Sequence, residues 1–338
     1  MNYTELEKQL NTNKINSVYL FWGEEEYLMS NIVKKIKKLF GELVLGINYI
    51  ILDEASISEL IPNIESPAFG FDKKLIIVNN SNLFKKDGRK KTLTPIQEKI
   101  LNYLNENIEI INESVVLIFK ENQVDKNEIY NTIEKIGITC NFVQLKPIEL
   151  ISRLKKICNA YNVNIDDNTV KYLIEVSGAN LQNLINEIRK LIEYKGAGNS
   201  INTHDVELLA TKQIESVIFD LTDNLALKKT DKALKILDDL IYQKEPLQKI
   251  LVTLYNHFKK LYLYSMAIKY NKTPLTVLNL KPNQLFLLDK YKYQVKHYSI
   301  KDLRQILEKL ADLDYLSKSG KIDLEIGLRS ILCYYCSW

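Results

Sequence analysis

An apolar run that turns at a glycine into an amphipathic helix most constrains the fold of this chain. Residues 17–22 (SVYLFW) have the continuous apolar pattern of a strand covered on both faces, and Gly23 follows them. Apolar side chains then recur at helical spacing to about Leu39. Because parallel strands need a crossover connection, a strand, a turn and a helix in this order predict the start of a parallel α/β sheet.

Strand and helix patterns continue to alternate through the first 145 residues. The predicted strands are residues 18–22, 48–52, 75–78, 115–119 and 141–145. The predicted helices after the first strand are residues 28–40, 57–64, 95–106 and 126–136. Capping-box spacing marks three helix starts, at Thr4 with Glu7, Ser56 with Glu59, and Thr94 with Gln97. We therefore predict an α/β domain over residues 1–145.

From Pro147 onward the pattern is wholly helical. Helices predicted at residues 147–160, 168–176 and 181–194, with a short fourth after Thr203, form a small helical module over residues 146–211. Longer helices are predicted at residues 216–227, 230–242, 246–270, 282–292, 300–317 and 324–335. These predict a helical bundle over residues 212–338. Two or three domains also fit a length of 338 residues.

Composition and charge narrow the possible settings of the chain. The sequence has no run of about 18 apolar residues, and its polar N-terminus is unlike a signal peptide. Four scattered cysteines indicate a reduced, cytoplasmic setting. Residues 212–338 carry 21 basic against 14 acidic side chains, whereas residues 1–145 carry 17 against 20. The basic region suits a nucleic acid or an acidic partner, and a lysine-rich solvated surface explains it equally well.

The first strand, turn and helix follow the order of a nucleotide-binding site but lack its phosphate-binding residues. A P-loop would read G-x-x-x-x-G-K-[ST], with backbone amides and a lysine that bind phosphates. Here Gly23 is followed by three carboxylates, Glu24, Glu25 and Glu26. They suit the positive end of a helix dipole, but they repel a polyphosphate.

Two further positions lack groups that ATP hydrolysis needs. The strand at 75–78 ends in Asn79 and Asn80, where a Walker B motif would supply carboxylates for Mg²⁺. Gln182 opens the helix at 181–194, near which related ATPases often place an arginine. We therefore predict a vacant nucleotide site, no ATP hydrolysis, no catalytic residues, no metal and no cofactor.

The cysteines and histidines offer no separate chemistry. Cys333 and Cys336 form the sole C-x-x-C, without a second pair to complete a tetrahedral zinc site, so packing is favoured. His257 lies in an apolar helix and is interpreted as a packing residue. The tyrosines of the bundle are interpreted as core or inter-subunit residues, with a stacking platform for single strands as the alternative.

Several segments resemble one protein family. Residues 18–28 (VYLFWGEEEYL) are similar to the "VYLFYGEEPYL" opening of the δ subunits of bacterial DNA polymerase III. Residues 66–78 (SPAFGFDKKLIIV) resemble that family's "LPFFGEKRLVVV" stretch. Residues 178–191 resemble its "G-N-D-L…E-L-E-K-L", and residues 216–221 with 233–237 resemble its "FDL…ALRLL" helix pair. The three-part order also resembles the clamp-loader branch of the AAA+ family.

The resemblance implies a fold and a role. The fold would be an AAA+-like parallel-sheet domain, a helical lid and a C-terminal helical collar. The role would be a replication subunit that binds the ring-shaped sliding clamp (β) and helps to open it for loading onto primed DNA. Its partners would be the clamp, the ATP-binding τ/γ subunits and δ′ in a hetero-pentamer, and DNA mainly through that complex, without a membrane. It would have no catalysis of its own, although the holoenzyme is a DNA-directed DNA polymerase.

The resemblance also assigns candidate contact residues. Clamp binding would fall to Ala68, Phe69 and Phe71, flanked by Pro67 and Gly70. Some family members have Leu or Phe where Ala68 stands, so Phe69, helped by Phe71, would carry more of the contact. The alternative is that both phenylalanines pack under the sheet.

A basic stretch follows the third predicted strand. It is formed by Lys85, Lys86, Arg89, Lys90 and Lys91. It could contact DNA phosphates or the clamp, and a solvated loop is the alternative.

The sequence leaves two other functions open. A δ′-like subunit would also lack turnover, but that family usually carries a zinc module of four cysteines, and the first domain here has only Cys140. An unusual nucleotide-dependent enzyme would need phosphate-binding residues that the sequence does not provide.

Overall fold

The computed structural model describes residues 1–85, 93–280 and 284–336, and the chain divides into two compact units. The first unit is Met1–Gln144 and the second is Leu145–Trp338. The predicted boundary between a lid and a collar at residue 211 lies inside the second unit and stays a prediction.

The first unit is built around a five-stranded parallel sheet. Its strands are β1 (Val18–Trp22), β2 (Tyr49–Leu52), β3 (Lys74–Asn79), β4 (Val115–Glu121) and β5 (Ile138–Asn141). The spatial order is β2-β3-β4-β1-β5, so β1 lies between β4 and β5. The first four residues of β1, and most of β3 and β4, are buried without interruption, as strands covered on both faces require.

Six helices accompany the sheet in the described part of this unit. They are α1 (Tyr3–Asn11), α2 (Glu26–Phe40), α3 (Leu60–Glu65), α4 (Pro95–Glu106), α5 (Ile108–Ser114) and α6 (Glu128–Ile136). A 3-10 turn, Ile57–Glu59, precedes α3. Buried side chains of β1, β3, β4 and helices α3 to α6 form one apolar core. The predicted mixed α/β class with a parallel sheet is confirmed.

The last strand begins earlier than the sequence predicts. Residues 141–145 were expected, but β5 is Ile138–Asn141, and Val143 is 62% exposed. Gly137 allows this early start, because a Cβ there would lie 2.4 Å from the carbonyl oxygen of Val18. The short helix α5 was not predicted, since seven residues carry too little periodicity to identify.

Two of the three predicted capping boxes are wrong. The box of α1 uses Asn2 and Glu5 instead of Thr4 and Glu7. Ser56 hydrogen-bonds with Asp53 and makes no side-chain cap. The pair of Thr94 and Gln97 is confirmed, with the Thr94 N–H donating to Gln97 Oε1 at 2.8 Å.

The second unit begins with four helices and a small sheet. The helices are α7 (Pro147–Ala160), α8 (Asp167–Ser177), α9 (Leu181–Lys195) and α10 (Thr203–Leu209). The prediction of a wholly helical module is wrong in one respect. Strands β6 (Asn164–Ile165) and β7 (Ser200–Ile201) pair in parallel, and each is too short to give a sequence pattern.

A helical bundle completes the second unit. It contains α11 (Ile214–Ala226), α12 (Thr230–Tyr242), α13 (Leu247–Lys269), α14 (Pro274–Leu278), α15 (Phe286–Gln294), α16 (Ile300–Lys318) and α17 (Leu324–Cys336). The long helix α13 contacts α11, α14, α15, α16 and α17, so it forms the centre of the bundle. Helix α14 was not predicted, and α15 begins at Phe286, later than residue 282. Within the described ranges, none of the helices combines the length and apolarity needed to cross a bilayer.

A buried polar network joins three segments of the bundle. His257 Nε2 lies 2.8 Å from Gln294 Oε1 and 3.0 Å from Thr222 Oγ1. Burial lowers the pKa of His257 to about 3, so its ring is neutral near pH 7. Tyr264 and Tyr291 are also buried here, which confirms the packing interpretation for these residues.

Candidate functional site

The turn between β1 and α2 is too short and too tightly bonded to resemble a phosphate cradle. Only Gly23, Glu24 and Glu25 separate the strand from the helix. The Gly23 N–H donates to the Glu121 carbonyl at 3.3 Å, and the Glu25 N–H donates to the Phe142 carbonyl at 2.9 Å. Backbone amides that would bind phosphate in a P-loop are therefore engaged by carbonyl groups of the same unit.

Gly23 is fixed by two independent constraints. Its φ of +127° is a conformation that side-chain-bearing residues rarely adopt. A Cβ at this position would lie 2.4 Å from the Phe142 carbonyl oxygen and 2.8 Å from Asn141 Oδ1. Because Gly23 has no side chain, the end of β1 and the segment after β5 can approach each other closely.

The three carboxylates after Gly23 have different surroundings. Glu24 and Glu26 are exposed, whereas Glu25 is buried. Glu24 Oε2 accepts a hydrogen bond from Gln144 Nε2 at 3.2 Å, and Glu26 lies 3.7 Å from the Lys120 ammonium. The start of α2 therefore presents negative charge where an ATP site would require the opposite.

The end of β3 carries the two asparagines that the sequence singled out. Asn79 is half-buried at the last position of the strand, and Asn80 is exposed with φ of +48°. The Asn80 N–H donates to the Lys120 carbonyl at 2.8 Å, which extends the β3–β4 pairing by one bond.

A buried carboxylate nearby was missed by the sequence analysis. Glu121, at the end of β4, accepts hydrogen bonds from Ser81 N–H at 2.8 Å and Ser81 Oγ at 2.5 Å. Burial raises the pKa of Glu121 above its ordinary value. The apolar run before it was the available signal, since an acidic residue that ends a buried strand is a candidate for this edge. Its bonds to Ser81 give it a structural part in the turn after β3.

Gln182 lies in the second unit, on the first turn of α9. It is exposed, and its Nε2 donates to Asn186 Oδ1 at 3.1 Å. The helix is capped by Asn180, whose side chain accepts from the Asn183 N–H. Gln182 therefore bonds along its own helix.

The loop of residues 66–73, which joins α3 to β3, lies at the other edge of the sheet. Asn79 is the last residue of β3 and Gly23 follows the last residue of β1, whereas this loop precedes the N-terminal end of β3. Six residues of strand separate the two edges, which corresponds to roughly 17 Å. The candidate contact residues are thus remote from the turn after β1, where the sequence predicts a vacant nucleotide site.

Phe69 is the more exposed of the two phenylalanines in this loop. Its side chain is 73% exposed, and its φ is +43°, while Gly70 has a φ of +94°. The Phe71 N–H donates to the Ala68 carbonyl at 3.3 Å, so a four-residue turn places Phe69 at its apex. The alternative in which Phe69 packs under the sheet is wrong, because the ring faces solvent.

Phe71 has a different environment from Phe69. It is half-buried and lines a cavity of about 380 Å³ together with Phe40, Asn48 and Lys73. Ala68 is half-buried as well. The structure therefore presents one exposed aromatic ring at the apex and a second that supports the base of the loop.

Only one residue of the predicted basic stretch can be described. Lys85 is exposed, and its carbonyl accepts from Gln97 Nε2 at 3.1 Å. Lys86, Arg89, Lys90 and Lys91 lie outside the described residues. A DNA or clamp contact by this stretch stays a prediction.

Potential metal ligands do not cluster in residues 1–85, 93–280 and 284–336. No cluster of three or more His, Cys, Asp or Glu side chains suited to a metal occurs there. Cys140, Cys158 and Cys333 are free thiols in the same ranges, and burial raises the pKa of Cys140 and Cys158 to about 11.

Comparison with known proteins points to one family. Residues 19–142 match the family described as DNA polymerase III, delta subunit, and residues 215–335 match the DNA polymerase III delta subunit, C-terminal domain. A probable DNA polymerase III subunit delta of Aquifex aeolicus is 31% identical over 318 residues, covering 89% of this chain and 86% of that protein. The DNA polymerase III subunit delta of Bacillus subtilis is 23% identical over 330 residues, covering 96% and 94%.

A solved structure shares the whole fold. It is described as the Bacillus subtilis DNA clamp loader delta protein, and it matches with a TM-score of 0.73 at 20% identity. The match covers 99% of this chain and 100% of that structure. Since both family models and a 31% identical relative agree over most of its length, the chain belongs to the DNA polymerase III delta subunit family.

Proposed function

We propose that this chain binds the sliding clamp and helps to open it during clamp loading, with Phe69 as the principal anchor. The observation that carries the proposal is the exposed ring of Phe69 at the apex of a hydrogen-bonded turn. An exposed aromatic side chain can enter an apolar pocket of a partner, and truncation of one such anchor costs about 2 kcal/mol or more of binding free energy. The solved delta structure named for a clamp loader is consistent with this role.

The other candidate residues have supporting parts in this proposal. Phe71 is half-buried in the cavity beneath the turn, so it stabilises the loop from below. Ala68 supplies the carbonyl that closes the turn. The contact with the clamp therefore rests on one ring, flanked by backbone.

The chain would act without hydrolysing ATP. Its β1–α2 turn has three residues, its amides bond to carbonyls of the same unit, and Glu24 and Glu26 bring negative charge. These features support a mechanical role in which energy comes from ATP-binding partner subunits. The partners would be the clamp, the τ/γ and δ′ subunits, and primed DNA through the assembly, at the replisome in the cytoplasm.

The alternatives are less well supported. A δ′-like role is disfavoured because the matching family models are those of the delta subunit. A nucleotide-dependent enzyme would need phosphate-binding groups, and the turn after β1 offers carboxylates instead.

The test is the affinity of the full chain for the sliding clamp encoded by the same genome. We expect Phe69→Ala to weaken binding at least tenfold, which is about 1.4 kcal/mol. Tyr242→Ala is a matched control, because Tyr242 is 88% exposed but lies in the second unit. Equal affinity of wild type and Phe69→Ala would refute Phe69 as the anchor, and absence of binding by both would refute clamp binding.

A further inference from the structure

Lys74 is a buried lysine at the first position of β3, directly after the loop of residues 66–73. Its side chain is 2% exposed in a strand whose following residues, Leu75 and Ile76, belong to the apolar core. A lysine is seldom buried so completely, because desolvating an ammonium group is costly unless its hydrogen bonds are satisfied. The buried ammonium of Lys74 therefore needs hydrogen-bond acceptors within the protein.

The Lys74 ammonium donates hydrogen bonds to two oxygen atoms at the end of α3 and the start of the loop. Its Nζ atom donates to the carbonyl oxygen of Asn63 and to Ser66 Oγ, the latter at 2.7 Å. Ser66 Oγ also donates to the Asn63 carbonyl at 3.3 Å. Asn63, Ser66 and Lys74 thus form a closed triangle that ties the end of α3 to the start of β3.

The triangle places the Lys74 ammonium at the C-terminal end of α3. Asn63 lies in the last turn of α3, whose free carbonyl groups form the negative end of the helix dipole. An ammonium there satisfies a carbonyl that has no partner within the helix. Burial lowers the pKa of Lys74 below its ordinary value, which is the expected effect of removing an ammonium from water.

The triangle fixes the distance between the two ends of the loop. The loop closes on itself through the Ala68–Phe71 hydrogen bond, and Phe69 lies at its apex. Without the triangle, the eight residues 66–73 would connect α3 and β3 with no side-chain bond between the end of the helix and the start of the strand. A displaced or mobile apex would place the ring less often where a partner pocket can receive it.

We infer that Lys74 is the positioning residue of the clamp contact and acts by holding the loop that presents Phe69. The inference rests on the proposed function, and it assigns a binding role to a residue that cannot itself touch the partner. Without the ammonium, the loop would sample other conformations. Binding to the clamp would then have to order the loop, and this free-energy cost would lower the affinity.

The experiment is a double-mutant cycle on binding to the sliding clamp encoded by the same genome. The full-length variants are Lys74→Met, Phe69→Ala and the double variant, each checked by circular dichroism. Methionine keeps the length and apolar stem of lysine but has no donor. Lys120→Met is the matched control, since Lys120 lies near the C-terminal end of the neighbouring strand β4, whereas Lys74 begins β3.

We expect Lys74→Met to weaken binding at least fivefold, with Lys120→Met within twofold of the wild type. In the Phe69→Ala background, Lys74→Met should change affinity less than twofold, because the ring that it positions is gone. A purely structural role would give the same fold-change in both backgrounds and would overturn the inference. If Lys74→Met fails to fold, Ser66→Ala replaces it in the cycle and should weaken binding at least threefold in the wild-type background alone.

The outcomes separate this inference from the proposed function. If Phe69→Ala lowers affinity tenfold and both Lys74→Met and Ser66→Ala bind within twofold of the wild type, the positioning role is refuted and clamp binding stands. If Phe69→Ala has no effect, the proposed anchor itself is refuted, and the inference fails with it.

Discussion

The carbonyl oxygen of Ala68 accepts a hydrogen bond from the backbone N–H of Phe71, and this bond closes a turn with Phe69 and Gly70 at its centre. Both central residues have positive φ, the pattern of a type I′ turn. Glycine adopts such a conformation freely, but a phenylalanine there carries strain of about 1 kcal/mol or more. The chain thus has a bulky, exposed ring at a position whose backbone conformation favours glycine. Such strain is expected where the ring is needed for binding.

The first prediction is that Phe69→Asn separates stability from binding. Asparagine tolerates positive φ, so the free energy of unfolding should stay equal or rise by up to about 1 kcal/mol. Affinity for the clamp should fall at least tenfold, because the ring is lost. Urea unfolding measures the first quantity, and a binding titration the second. A destabilisation of more than about 1 kcal/mol would mean that the ring packs against its own chain.

The second prediction concerns the turn between β1 and α2. Gly23→Ala should lower the free energy of unfolding by about 2–4 kcal/mol, because it combines an unfavourable φ with a clash against the Phe142 carbonyl. Gly41→Ala is the control, since Gly41 has a φ of +102° but nothing within 4 Å of the added Cβ. It should lose only about 1 kcal/mol. Equal losses at the two sites would contradict the close approach at Gly23.

Three of the first four strands, β1, β3 and β4, could be predicted from the sequence because they are buried. Strands β1, β3 and β4 are covered on both faces and read as continuous apolar runs. Strand β5 could not be located as well, because only Ile138 and Cys140 of it are buried and the apolar Val143 follows it in an exposed position. A short edge strand carries too little pattern to set its own register.

The candidate site was predictable in its residues but not in its geometry. The glycine after β1 stands out in the sequence, and the family resemblance indicates the phenylalanine at position 69. The sequence does not distinguish Lys73 from Lys74, two adjacent lysines before an apolar run. Only the register of β3 decides that Lys74 is buried against α3, while Lys73 is half-buried and bonds to the Asn112 carbonyl. Side-chain direction at a strand start depends on pairing with neighbours that are distant in sequence.

The third prediction addresses nucleotide binding. Because the turn amides are engaged and its carboxylates are negative, 1 mM Mg²⁺–ATP should leave the melting temperature unchanged within about 1 °C. A site with a dissociation constant of about 10 μM would add about 2.7 kcal/mol at that concentration and raise the melting temperature by several degrees. Differential scanning fluorimetry distinguishes the two. A clear rise would revive the nucleotide-dependent alternative.

The fourth prediction is a pH dependence of stability from His257. Its folded-state pKa is lowered to about 3 by burial, against an ordinary value of 6.5. Above pH 6.5 the ring is neutral in both states, so the full stability is present. As the pH falls below 6.5, the unfolded chain binds a proton that the folded chain does not, and the free energy of unfolding falls. At pH 5 the loss from this residue should be about 2 kcal/mol.

The measurement is urea unfolding between pH 7.5 and pH 5 for the wild type and His257→Gln. The variant should be less stable at pH 7, because the bonds to Gln294 and Thr222 change. Its free energy of unfolding should nevertheless fall less steeply toward pH 5. The slope measures the difference in bound protons between the unfolded and folded states, and the variant lacks about one such proton. Parallel curves for the wild type and His257→Gln would show that His257 titrates normally in the folded chain and that its network is open to water.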